Sequence, residues 1–97
     1  MLTEKMEAAL NEQIKWEMYS SNLYLSMSAY CADIGLPGMA SWMRAQADEE
    51  YFHAMKFYNY VLERGGKVIM AALDAPPHLW DTPLHVFEDT LSHEQHV

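Results

Sequence analysis

The sequence predicts an all-α protein: an antiparallel helical hairpin followed by the start of a third helix, part of a four-helix bundle. Three observations predict it. Two long stretches, residues 1–34 and 39–64, contain neither Gly nor Pro. Within them a seam can be read at alternating steps of four and three, the spacing of packed helices. The connections between the stretches differ sharply in length, one short and one long. With 97 residues, 51% of them hydrophobic, there is room for a single domain spanning 1–97 and enough apolar material to demand burial.

The first helix is expected over about 4–33. Thr3 suits the N-cap, and Glu4 and Glu7 fall in the first turn, where the helix dipole favours negative charge. Gly35 stops it. The second is expected over about 38–64, opening near Pro37 and closed by Gly65-Gly66. A stretch of roughly 16 residues follows, with Pro76-Pro77 and no amphipathic period. Thr82-Pro83 then reads as an N-cap followed by proline at the first helical position, opening a third helix over about 83–97.

Connection lengths imply topology. The short link at Gly35 makes the first two helices antiparallel. The long link can extend on the order of 50 Å, whereas a helix of about 27 residues is roughly 40 Å long. It can therefore travel the length of the bundle and let the third helix run parallel to the second.

Composition excludes several classes of function. Lys and Arg number 6 against 14 Asp and Glu, a formal charge of −8. Nucleic acid and anionic membrane surfaces both require a basic footprint, so neither is expected as a partner. No run of about 18 apolar residues offers a membrane span. The N-terminal Met1-Leu2-Thr3-Glu4-Lys5-Met6-Glu7 has no apolar signal-peptide core. The one cysteine, Cys31, allows no internal disulfide and reads as a small buried apolar residue. These features fit a soluble, cytoplasmic protein.

The seams carry the chemistry. The first reads Leu10, Ile14, Glu17, Ser21, Tyr24, Ser28, Cys31; the second Met39, Met43, Gln46, Glu50, His53, Phe57, Tyr60; the third Leu84, Phe87, Leu91, Glu94. Seam positions normally hold apolar side chains, yet each seam contains a glutamate. The second adds a histidine three residues on, along the same face. A hairpin turning near residue 35 sets Glu17 level with Glu50 and His53, and Glu94 enters its helix to about the same depth as Glu50. Four ligand-type residues thus converge on one layer. Burying a carboxylate costs several kcal/mol unless it is paired, and no Lys or Arg occupies the seams at that level. A cation can compensate. Mixed carboxylate and imidazole donors suit iron, manganese or zinc better than calcium or magnesium. Glu7, Glu12 and Glu63 read as members of solvated faces.

The segments Leu10-Asn11-Glu12-Gln13-Ile14, Glu17 through Tyr24, Gln46 through Ala54 with its Glu-Glu-x-x-His element, and His93-Glu94-Gln95 resemble bacterial non-haem ferritin over essentially the whole chain. The resemblance implies iron binding and storage, with ferroxidase activity: oxidation of Fe(II) to Fe(III) by dioxygen at a di-iron centre. It implies that Glu17, Glu50 and His53 hold the first iron, that Glu50 bridges to a second to which Glu94 contributes, and that Glu49 lies toward an accessory third site. Tyr24 would sit beside the centre as a hydrogen-bond or electron donor. Tyr51 stands where haem-binding relatives carry the ligating methionine, so no haem is expected. The absence of Cys-x-x-Cys separates the chain from rubrerythrins.

The family's subunit is a four-helix bundle with a short fifth helix, assembled as a 24-subunit cage. The resemblance therefore implies that Val97 falls within the third helix, and that ligands supplied by the rest of the bundle lie outside this sequence. A homo-oligomer is expected, either that cage or a dimer of hairpins in which each chain supplies Glu17, Glu50 and His53. Two rival readings stand beside the enzyme: a non-enzymatic iron-binding or assembly subunit, and an inactive truncated ferritin.

Overall fold

The computed structural model describes residues 2–96, with side chains as far as Glu94. Three helices follow one another: α1 (Glu4–Asp33), α2 (Pro37–Glu63) and α3 (Pro83–His96). Their ends obey local chemistry. The Thr3 hydroxyl accepts from the Met6 amide at 3.1 Å, supplying an acceptor that the first turn lacks. At the other end, Leu36 N–H donates to Cys31 C=O and Gly35 N–H to Ala32 C=O. This Schellman closure requires a left-handed residue, and Gly35 has φ +79°. α2 ends in the same way: Gly66 N–H donates to Val61 C=O, Gly65 N–H to Leu62 C=O, and Gly65 has φ +74°. Pro37 and Pro83 occupy first helical positions, where a missing N–H costs nothing.

Small residues set the α1–α2 distance. Ala40, Ala47, Ala54 and Val61 recur every seven residues and are all buried. Ser21 Oγ donates to Ala47 C=O at 2.8 Å, and Ser28 Oγ to Ala40 C=O at 2.6 Å. Only short side chains let a hydroxyl on one helix reach the backbone of the next. These two bonds also fix the level at which the helices pair, as expected for a turn near Gly35. Packed around them is a core of Leu23, Tyr24, Met27, Cys31, Met43, Trp80 and Val86.

The long link is a crossover tied to α1 along its length. Asn11 Nδ2 donates to Lys67 C=O at 2.9 Å, and Asn11 Oδ1 accepts from the Ile69 amide at 2.8 Å. Farther along, Ser26 Oγ donates to Pro77 C=O, and Trp80 packs edge-on against Tyr30. The loop thus runs from the start of α1 to its end. α3 then returns antiparallel to α1, and so parallel to α2. Among the described residues no helix is long and apolar enough to cross a membrane.

The expected seams need correcting in two places. α2 meets α1 through its alanines and Met43, which leaves Gln46, Glu50, His53 and Phe57 half-buried on the adjoining flank. On α3, Val86 and Thr90 are buried while Leu84, Phe87 and Leu91 are exposed, at 64%, 45% and 62%. The apolar arc of α3 is wide enough for two neighbours, and its edge nearest Thr90 faces α1, where Thr90 Oγ1 reaches Met27 Sδ. A four-three reading cannot tell which edge of such an arc is covered.

The Asn11 clamp generates a sharp expectation. Asn11→Ala should lower stability by about 1–2 kcal/mol through loss of its two bonds to the loop and accelerate hydrogen exchange at the Ile69 amide. Asn11→Asp keeps the acceptor and should preserve that protection. Equal exchange in both variants would refute the clamp.

Candidate metal centre

Glu17 comes from the middle of α1 and is 7% exposed. Its position toward α2 follows from the same helical face that carries Ile14, Ser21 and Tyr24 into the bundle. Oε1 accepts from Gln13 Nε2 at 3.0 Å. Oε2 is fully enclosed, and among the described residues no N–H or hydroxyl group donates to it; the neighbouring Glu50 carboxyl is the one group that can do so while it holds its proton. An orphaned carboxylate oxygen is among the most costly buried groups a fold can hold.

Glu50 and His53, one turn apart on α2, meet it across the helix pair. His53 Nδ1 lies 3.7 Å from Glu17 Oε2 and 3.9 Å from Glu50 Oε2. One ligand atom from each of the three residues falls within 4.8 Å of the others. Both His53 separations are too long for good hydrogen bonds. They match donors around a shared ion: at about 2.1 Å from a metal, two such atoms sit roughly 3.0 to 4.2 Å apart. Among the described residues no Lys or Arg comes within ion-pair distance of these carboxylates; His53 is their cationic partner when protonated.

The electrostatics reflect this crowding. Glu50 is pushed up to about 8 from an ordinary 4.5. Burial is the largest cause, followed by a hydrogen bond with Glu17 and by the negative charges of Glu17, Glu94 and Glu49. Below about pH 8 such a carboxyl keeps its proton unless a cation competes for its oxygens.

Beside the triad lies a second cluster. Tyr24 is fully buried, and its hydroxyl donates to Glu94 Oε1. Burial and the Glu94 carboxylate push the phenol far above its usual range, with the charge of Glu50 adding to the effect. It stays a protonated donor. The His93 ring stands edge-on to Tyr24, with 5.8 Å between centroids, and shares a 2.7 Å hydrogen bond with Ser20 Oγ.

Of the residues singled out in the sequence, Glu17, Glu50 and His53 are brought together. Glu94 reaches the layer but is engaged by Tyr24 rather than by the triad. Glu49 is exposed and acts on Glu50 through its charge alone. Sequence reasoning assigned no role to Gln13, Ser20 or His93. Gln13 was findable, since a donor four residues before a buried glutamate shares its face. The Ser20–His93 pair joins residues 73 apart and had no local signal.

Residues 7–97 match the family described as Ferritin-like domain. The chain is 48% identical over all of its 97 residues to a bacterial non-heme ferritin of Bacteroides fragilis, covering 61% of that protein. It is 38% identical to the bacterial non-heme ferritin of Staphylococcus aureus, covering 58% of it. An open pore ferritin from Archaeoglobus fulgidus superposes with a TM-score of 0.95 at 50% identity, over 99% of this chain and 59% of that one. The chain thus spans about three-fifths of the length of the relatives it matches. With the family match running through nearly every residue and the carboxylate–imidazole triad gathered between α1 and α2, the chain belongs to the ferritin family.

Proposed function

We propose that this chain takes up ferrous iron at Glu17, Glu50 and His53 and promotes its oxidation by dioxygen, as a subunit of a cytoplasmic iron-storing homo-oligomer. The observation that carries the reading is the enclosed Oε2 of Glu17, which no N–H or hydroxyl among the described residues reaches, facing two further donors at ion-sharing distances. Iron is the substrate. Carboxylate oxygens are hard donors that favour ferric over ferrous iron, which promotes loss of an electron. Each ferrous ion supplies one electron, so two ions are needed to reduce one dioxygen to hydrogen peroxide, with two protons taken up.

The triad suits one ion. Glu94 and Tyr24 lie on the flank where a second would bind, and the charges of Glu49 and Glu94 make that layer attractive to cations. Tyr24, held protonated, serves as a hydrogen-bond or electron donor. Because α3 already engages Ser20 and Tyr24, a dimer of hairpins would have to displace it to close a second triad over the first. A homo-oligomer that keeps α3 in place is the better reading.

A non-enzymatic iron-binding subunit is favoured by one observation, the engagement of Glu94 by Tyr24 rather than by the triad. Stopped-flow mixing with ferrous iron in air separates the two. Ferric absorbance should rise above the buffer rate, and Glu50→Ala should lower that rate by at least about tenfold, since losing even a partner that only orients a metal-binding residue costs that much. Binding without turnover would establish the non-enzymatic subunit.

The raised Glu50 pKa fixes a pH dependence. Below about 4.5 the group is protonated in both the folded and unfolded states. Between there and about 8 the unfolded chain ionises while the folded one keeps its proton, so stability falls as pH rises and levels off above that range. The thermal midpoint of the metal-free protein should drop over this window, on the order of 5–10 °C. Glu50→Gln should flatten the slope, and added Zn²⁺ should stabilise more as pH rises. A slope unchanged in Glu50→Gln would sink the assignment.

A further inference from the structure

The side chain of Gln13 is unaccounted for by the triad itself. It sits one turn before Glu17 on α1, partly buried in the wall of a groove of about 690 Å³ between α1, Pro77 and α3. Among the described residues, its Nε2 donates to Glu17 Oε1 at 3.0 Å. The partition of the Glu17 carboxylate is therefore uneven: one oxygen is occupied by an amide donor, and the other is enclosed, met by no N–H or hydroxyl among the described residues, 3.7 Å from His53 Nδ1. A Gln–Glu pair at this spacing can be an ordinary helix-surface contact. That account fails here, because Glu17 is 7% exposed and its hydrogen-bonded oxygen is the one turned away from His53.

Resting on the iron-binding reading above, we infer that Gln13 is a positioning residue: it occupies Oε1 of Glu17 so that the carboxylate offers a metal ion Oε2 alone. Two consequences follow from geometry. A carboxylate pinned at one oxygen binds in one-oxygen fashion and leaves coordination positions open for exchangeable ligands. One released from the pin can rotate and chelate through both oxygens, filling a position. Partners that orient a metal-binding carboxylate in this way contribute about 10- to 100-fold to affinity or activity when removed.

Cobalt(II) provides a readout independent of oxidation, since its visible spectrum reports coordination number and geometry. Gln13→Met is close to isosteric, lacks the N–H donor and has similar helix propensity. The variant should change the cobalt spectrum and weaken cobalt binding by about tenfold or more. Introduced into Glu17→Ala, the same change should have no further effect, because Gln13 acts through Glu17; a generally structural role would give additive losses. Gln13→Leu serves as a second donor-less variant. Wild-type spectrum and affinity in both variants, additive losses, or loss of helicity in both would each overturn the assignment. If the wild-type chain takes up no cobalt, the metal-centre reading itself fails. If it takes up cobalt and the variants are indistinguishable from it, only the role of Gln13 falls.

Discussion

The structure is organised around a carboxylate that is buried and left half-satisfied. Glu17 sits between two long helices with one oxygen hydrogen-bonded by an amide and the other, among the described residues, met by no N–H or hydroxyl, only by the carboxyl of Glu50. Desolvating that charge costs several kcal/mol. The fold supplies no Lys or Arg at ion-pair distance to offset it among the described residues. It supplies two more ligand-type side chains, and one of these, Glu50, keeps its proton to nearly neutral pH and beyond. The arrangement is poor for stability and has the donor set to hold a cation.

Close helix approach makes this possible. Glutamates on neighbouring helices could as easily point past one another. The Ser21–Ala47 and Ser28–Ala40 contacts hold the backbones near enough, and at the right level, for Glu17 to meet Glu50 and His53. The hydroxyl-to-carbonyl bonds act as register pins, because a slip of one residue along either helix would rotate the donors away from their acceptors. Packing and chemistry are coupled at this point: the small residues that let the helices approach also set the spacing of Glu17, Glu50 and His53.

The third helix brings a different contribution. It does not enter the triad but sets His93 and Glu94 against Ser20 and Tyr24 of α1, beside it. The crossover loop, tied down at Asn11 and again at Ser26, delivers α3 to that side. Its anchors are polar and local, whereas its consequence is felt at the centre: the charge of Glu94 helps keep Glu50 protonated.

Much of this was readable from the chain. Glycines at 35 and 65, prolines at 37 and 83 and the threonine caps mark the helices because their effects are confined to a single turn of backbone. The glutamates stand out because a helical seam is periodic, and an acidic residue in it violates the period. The sequence alone determined three helices, a hairpin, a crossover and the meeting of Glu17, Glu50 and His53 at one level. Only the tertiary structure decided which side of each seam is covered, exposing Leu84, Phe87 and Leu91 while burying Val86 and Thr90. It alone showed Gln13 holding one oxygen of Glu17 and His93 meeting Ser20. The reason is physical: periodicity specifies a direction around a helix only to within the width of its apolar arc. Rotation within that arc, and the hydrogen bonds that depend on it, are settled by the neighbours the helix meets.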